Sequence, residues 1–219
     1  MPVYVVSGAR TGIGLEYIRQ LSRENENIVY ILECDISSED SIAGLPDRIR
    51  SSAKSDYKID ILINNAAILH FHQATSLTMS SDALASHITS NVVGPAKMLQ
   101  ALLPSLASNA RVANISSGIG SLTMVSDGRI NAEITPYSIS KAALNMLTVH
   151  QARQLAGSEA TRGIIVVAVD PGHAKTEMGG PDAVVEVADS ARGVLRTLAG
   201  LTVADSGKFL LYTGDELPW

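Results

Sequence analysis

Six short runs of apolar, largely β-branched residues punctuate the chain: VYVVSG at 3–8, NIVYILECD at 27–35, IDILINNAA at 59–67, ARVANISS at 110–117, GIIVVAVDPG at 163–172 and GKFLLYTG at 207–214. Each is nearly continuous in apolar residues and ends at a polar or glycine turn, the pattern of strands buried on both faces of a parallel sheet. Stretches with helical character separate most of them. GLEYIRQLSRE places Leu15, Ile18 and Leu21 on one face, and EDSIAGLPDRIRSS is weakened by Gly44 and Pro46. Longer apolar helices are expected in HITSNVVGPAKMLQALLPSLA, PYSISKAALNMLTVHQARQLAG and PDAVVEVADSARGVLRTLAG. Alternating strand and helix predicts an α/β protein, a three-layer doubly wound parallel sheet in one domain spanning 1–219. Right-handed crossovers then bring the C-terminal strand ends to one edge, where ligands bind in such sheets.

Composition narrows the function classes. Apolar residues are 46% and charged residues 18%, an ordinary globular balance. The net charge is −5 with no cluster of Lys or Arg, so neither nucleic acid nor an acidic membrane is expected as a partner. The single cysteine, Cys34, leaves no internal disulfide and fits a reducing, cytoplasmic setting. No basic region precedes the first strand, so no signal peptide is expected, and runs such as GIIVVAV are too short to span a bilayer.

Four features carry chemistry. SGARTGIG sets Gly8, Gly12 and Gly14 between a strand and an amphipathic helix, where glycines allow a tight turn and close approach to a pyrophosphate at the helix start. PYSISK places Tyr137 and Lys141 four apart, on one helix face. An ammonium beside a phenol favours the phenolate, so Lys141 is expected to lower the Tyr137 pKa and make it a proton donor and acceptor near neutral pH. NISSG ends a strand in Ser116 and Ser117, where a hydroxyl can hold a substrate oxygen. Asn91 interrupts an apolar helix and so carries a hydrogen-bonding task.

Together these residues resemble the short-chain dehydrogenase/reductase family over nearly the whole chain, which implies its Rossmann-like fold. Gly8-x-x-x-Gly12-x-Gly14 is similar to the family's cofactor loop, with Ser7 in the place of a threonine, and Arg10, Thr11 and Ile13 belong to the same loop. NNAA, with Asn65 and Ala66, resembles the family's NNAG. Asn91, Ser117, Tyr137 and Lys141 match its catalytic tetrad, Ser117 rather than Ser116 because the second serine of the pair fits the pattern. DPGHAKTEMGGPDA resembles the stretch passing the nicotinamide, with Pro171, Gly172 and Thr176 at matching positions. GKFLLYTGDELPW and YSISKAALNML point more narrowly to the carbonyl-reductase-like group that includes sniffer and C-factor proteins.

The resemblance implies hydride transfer between a nicotinamide and a small-molecule carbonyl or alcohol. Tyr137 is the acid/base, Ser117 polarises the substrate oxygen, Lys141 also holds the ribose, and Asn91 anchors a water in a proton relay. It also implies that the chain is about one strand–helix crossover short, because Gly14 stands only 21 residues before Asp35. By distance Glu33, 19 residues past Gly14, ends the second strand and favours NAD; by motif CDIS ends the third, with Asp35 and Ile36 at the adenine. Arg10 could pair with a 2′-phosphate, although relatives carry their basic residue where this chain has Thr11. NADP(H) is expected ahead of NAD(H), and no cofactor if the shortened region has abolished binding. Two alternatives stay open: non-redox acid–base chemistry (isomerisation, cyclisation or dehydration) and a catalytically silent binding protein.

Lesser features are read locally. His70 and His72 lack a third ligand at suitable spacing, so no metal is expected and both are placed on a loop at the pocket rim. His173, directly after Pro171–Gly172, is a candidate pocket-lining residue. The extra residues TMVSDGRINAE before Tyr137 are expected as a surface loop that obstructs helix pairing, leaving a monomer or homodimer.

Overall fold

The computed structural model describes residues 2–23, 29–53, 57–70, 74–130 and 133–219. Five parallel strands form one sheet in the order β1-β2-β3-β4-β5: β1 Tyr4–Val6, β2 Ile59–Asn64, β3 Leu106–Ile115, β4 Ile165–Asp170 and β5 Phe209–Leu211. Helices cover both faces, and the two-residue period of the strands decides what each face receives. Val5, Leu62, Val112 and Val166 stand in register across four strands and point to one layer. There they meet Ile42 of α2 (Glu39–Ala43), Leu45 of α3 (Leu45–Ala53), Met98 and Leu102 of α5 (Gly94–Leu102) and Leu155 of α7 (Thr135–Ala156). The alternate row, Val6, Ile63, Ala113 and Val167, points the other way, to Tyr17 of α1 (Gly12–Arg23) and Val194 and Leu198 of α8 (Val187–Gly200). The continuous apolar runs in the sequence are therefore strands with a helical layer on either side. The face of α1 centres on fully buried Tyr17, with Leu15, Ile18 and Leu21 only partly covered.

The remaining helices follow local chemistry. Ser38 caps α2 by accepting the Ser41 N–H at 3.2 Å, Glu39 and Asp40 occupy its first turn, and Gly44 ends it before Pro46 enters the first turn of α3. The long apolar stretch around Asn91 is expected as one helix but is split in three. α4 (Ser81–Ile88) passes through a π-turn at Thr89–Val93 into α5, with Gly94 N–H reaching back to Thr89 O. The expected surface loop at 123–133 instead contains a short helix, α6 (Leu122–Ser126), capped by Ser121 through the Met124 N–H. Among the described residues no helix is long and apolar enough to cross a membrane.

Among the described residues one expected strand does not form. Residues 24–28 lie outside the described part, and 29–35 join no ladder; the sheet has five strands rather than six, with β1 as the outermost described strand on that side. Leu32 and Cys34 pack on the α2–α5 layer, whereas Val29, Tyr30 and Ile31 are 44%, 51% and 93% exposed. Exposure alternates along 31–35 as for a strand covered on one face only. No described helix covers the outward side chains of the segment, which fits the crossover that the resemblance implies to be missing.

Ile31→Lys should therefore change unfolding free energy by less than about 0.5 kcal/mol, whereas Leu62→Ala should cost about 3–5 kcal/mol. Urea denaturation of both variants checks this. A loss above about 2 kcal/mol for Ile31→Lys would show the segment to be a strand buried on both faces.

Candidate active site

The glycine turn is built by contacts that exclude side chains. Gly8 and Gly12 have φ of +69° and +57°, and a Cβ on Gly8 would lie 2.7 Å from Ala66 Cα. A Cβ on Gly14 would lie 2.3 Å from Gly8 O and 2.6 Å from Asn65 Nδ2, so the turn closes directly onto the exit of β2. Ser7 fixes that junction, its Oγ accepting the N–H groups of Asn65 and Ala66 at 3.0 Å each. Asn65 returns its amide to Ser7 O at 3.1 Å and Gly8 O at 3.3 Å. Thr176 reaches the same turn from the far side, its Cγ2 3.3 Å from the place a Gly12 Cβ would take. Ile13 packs its side chain into the α1–α8 layer, while Arg10 and Thr11 are exposed beside the turn. This glycine-lined turn at the start of a 12-residue helix fits a pyrophosphate.

The side expected to hold adenosine is thinner. Asp35 accepts the Ser37 N–H at 2.9 Å and its hydroxyl at 2.7 Å, which holds the carboxyl below its ordinary range. Ile36 O lies 2.7 Å from the position of a Gly94 Cβ, so this turn rests on the start of α5. Glu33 is exposed, and partial burial pushes the Cys34 thiol up, away from reactivity.

The tetrad residues converge around the C-terminal end of β3. Lys141 is 2% exposed; its ammonium donates to Ile115 O at 2.7 Å and stands 5.4 Å from the centroid of the Tyr137 ring one turn earlier. Of the two serines, Ser116 is spent inside: it is buried and donates to Asn145 Oδ1 at 2.6 Å. Among the described residues Ser117 Oγ accepts a long contact from the Ile119 N–H at 3.4 Å and donates to none, which leaves its proton for a ligand. Asn91 is buried and its side chain is committed. Oδ1 accepts Ile68 N–H at 2.8 Å, and Nδ2 donates to Ile68 O and Ser140 Oγ at 3.0 Å each. Its amide thus ties the loop after β2 to α7.

The electrostatics reverse one expectation. Burial, and then the negative charge of Asp170, push the Tyr137 phenol up rather than down. Burial also pulls Lys141 down to about 7, against which Asp170 pulls it back up. The lysine charge expected to acidify Tyr137 is itself reduced near neutrality.

Two site neighbours escape a motif-based reading. Asp170 stands in the quoted DPG stretch, where a carboxylate ending an apolar strand is the available signal. Its Oδ2 accepts Gly118 N–H at 2.9 Å and its Oδ1 accepts Gly172 N–H at 2.8 Å. His87, four residues before Asn91, is fully buried; Nδ1 donates to Ala83 O at 2.6 Å and Nε2 accepts His70 N–H at 3.3 Å. Its ring stands edge-on to Tyr137 with centroids 6.3 Å apart. Of the histidine pair on the loop, His70 makes an edge contact with His87, and His72 lies outside the described residues. His173 ties its Nε2 to Gly179 O at 2.7 Å, closing its own loop.

Comparison with known proteins identifies the family and the fold. The family model for short chain dehydrogenases matches residues 19–183, a span that holds all four tetrad positions. The chain belongs to the short-chain dehydrogenase family. The C-signal protein of Myxococcus xanthus is 39% identical over 163 residues, covering 74% of this chain and 93% of that protein. A 1-hydroxy-2-glutathionyl-2-methyl-3-butene dehydrogenase of Rhodococcus sp. (strain AD45) is 26% identical with both chains fully covered. Among solved structures, the NADPH-bound carbonyl reductase from chicken fatty liver superposes with a TM-score of 0.86 at 28% identity. The carbonyl reductase Sniffer of D. melanogaster gives 0.87 at 27%, and both structures and this chain are covered completely. The fold is that of carbonyl-reductase-like members of the family.

The depressed Lys141 makes a stability prediction with a definite sign. Unfolded, the amine titrates near 10.4; folded, near 7, so between these values the unfolded chain holds more protons and stability rises with pH. Lys141→Met should therefore raise Tm by about 2–6 °C near pH 6.5, with the gain shrinking toward pH 10. A lower Tm for the variant across this range, by calorimetry, would show the buried amine to be fully compensated.

Proposed function

We propose that the chain is a nicotinamide-dependent reductase that interconverts a carbonyl and an alcohol of a small molecule, using NADP(H) ahead of NAD(H). The observation that carries this reading is buried Lys141, its ammonium on Ile115 O and facing the Tyr137 ring, in a chain whose glycine turn leaves no room for a Cβ at Gly8 or Gly14. A bound nicotinamide supplies or takes the hydride; this chain's residues handle position and proton. Gly8, Gly12 and Gly14 would hold the pyrophosphate, Thr176, Pro171 and Gly172 the nicotinamide end, and Asp35 and Ile36 the adenine. Arg10 stands exposed and able to meet a 2′-phosphate, and the NADPH-bound chicken enzyme supports the same preference.

In reduction, Ser117 Oγ–H donates to the carbonyl oxygen and Tyr137 gives its phenolic proton to the oxygen as the C–O bond becomes single. Tyr137 is protonated at neutral pH, as proton donation to the substrate oxygen requires. Lys141, oriented by Ile115 O, faces the ring and would hold the ribose. The Asn91 side chain is occupied, so a part for this residue in a proton relay falls to the backbone of its π-turn. The substrate is a small molecule, and the protein works as a monomer or homodimer.

A second reading, acid–base chemistry without hydride transfer, draws on one observation: residues 29–35 form no strand beside β1. Titration with NADPH and NADH, by calorimetry or nicotinamide fluorescence, separates the two. Saturable binding at about 1–100 μM is expected, with Tyr137→Phe binding equally well and losing roughly 10³-fold in carbonyl reduction. Folded protein that binds neither nucleotide at about 1 mM would overturn the redox reading in favour of the second.

A further inference from the structure

The carboxylate of Asp170 has no part in the proton and hydride steps above, yet it occupies the centre of the site. It leaves the end of β4 and joins two loops at once: Oδ2 receives Gly118 N–H, the peptide directly after Ser117, and Oδ1 receives Gly172 N–H, the peptide directly after Pro171. Both loops approach this closely because both donors are glycines. A Cβ on Gly118 would stand 3.0 Å from Oδ2 and 2.8 Å from Ile130 Cδ1. Gly172 has φ of +75°, with Tyr212 2.9 Å from its missing Cβ. The Gly118 bond fixes the 117–118 peptide and holds Ser117 in extended backbone at φ −166°, ψ 149°. The backbone of Asp170 is pinned in turn, its carbonyl accepting Tyr212 N–H at 2.8 Å.

The ionisable groups facing this carboxylate are few. Lys141 and Tyr137 come from α7, and His173 comes from the loop after β4. Among the described residues β3 and the turn after it contribute a backbone N–H, and Tyr212, directly after β5, stands behind Gly172. A carboxylate here opposes the departure of protons from both Tyr137 and Lys141.

We propose that Asp170 is a positioning residue of the active site: it clamps the Ser117 and Pro171–Gly172 loops together and sets a carboxylate facing the Tyr137–Lys141 pair. The proposal rests on the reductase reading for its consequence in turnover, but not for its electrostatic half. The two halves are separable by substitution. Asp170→Asn removes the charge and sets an amide N–H₂ against one of the two backbone donors. Asp170→Glu keeps the charge and lengthens the arm.

The test follows the Lys141 side-chain resonance by ¹³C-lysine NMR, assigned by its absence in Lys141→Met, which requires neither cofactor nor turnover. Its titration midpoint should fall by about half a pH unit or more in Asp170→Asn and stay near the wild-type value in Asp170→Glu. In carbonyl reduction with NADPH, the basic limb of the pH profile should move down in Asp170→Asn. Both variants should lose about tenfold in kcat, with KM changed less than about threefold. If Asp170→Asn does not fold, Asp170→Glu and Gly118→Ala carry the test, since each disturbs the clamp and keeps the charge; kcat should fall with the Lys141 midpoint unmoved. An unchanged midpoint in Asp170→Asn overturns the electrostatic half, and unchanged kcat in Asp170→Glu and Gly118→Ala overturns the clamp. Wild-type protein without any carbonyl reduction, but with the midpoint shift present, sinks the reductase reading and leaves the charge assignment standing.

Discussion

The buried amine of Lys141 is the constraint around which the site is organised. A lysine at 2% exposure is tolerated only where partners repay its desolvation. Here β3 supplies the Ile115 carbonyl, α7 the Tyr137 ring and β4 the Asp170 carboxylate. Burial outweighs these partners and pulls the amine down to about 7. Stability is given up at this point and kept elsewhere, in the apolar rows that cross β1 to β4. That division is expected of a catalytic centre, where strained protonation states are held by an otherwise rigid frame.

The frame was largely legible in the sequence because it rests on period. Val5, Leu62, Val112 and Val166 lie on one face and Val6, Ile63, Ala113 and Val167 on the other, so adjacent positions of β1 to β4 are apolar on both faces. NIVYILECD carries the same signal, and there the signal misled. Apolar content shows that a segment can be buried, not that a helix exists to bury it, and the helix is what the shortened chain lacks. The tetrad was legible as a spacing, and Lys141 four after Tyr137 does share its face. What spacing could not carry was the environment. The pull of Lys141 on Tyr137 was inferred from charge alone, whereas desolvation of both groups dominates. Asn91 was rightly singled out as a hydrogen-bonding residue, but its amide is absorbed by Ile68 and Ser140, contacts 23 and 49 residues away in sequence.

Losing a crossover at the outer edge leaves the reacting half intact for a topological reason. Ser117, Tyr137, Lys141 and Asp170 depend on β3, β4 and α7, while the glycine turn depends on β1 and β2. None of these needs a neighbour beyond β1. Superposition at TM-scores of 0.86 and 0.87 on full-length carbonyl reductases fits that view, since the shared frame is the part these proteins hold in common.

The same asymmetry bears on nucleotide choice. Distinguishing NADP from NAD requires contacts at one ribose hydroxyl, and in this chain the residues nearest that task are exposed: Arg10 beside the glycine turn and Glu33 on an unladdered segment. Charges in solvent at such distances are screened within about 8 Å at physiological salt and contribute roughly 0–1 kcal/mol each. A difference of 1.4 kcal/mol is about tenfold in affinity, so two such residues acting against each other leave a narrow margin. Affinity then has to come from the pyrophosphate and nicotinamide ends, where the turn is closed by backbone against backbone. On the proposed reading the reactive end of the dinucleotide would be held at the closed turn and the recognition end by exposed groups, and weak selectivity between the two nucleotides, falling further with salt, is the expected consequence.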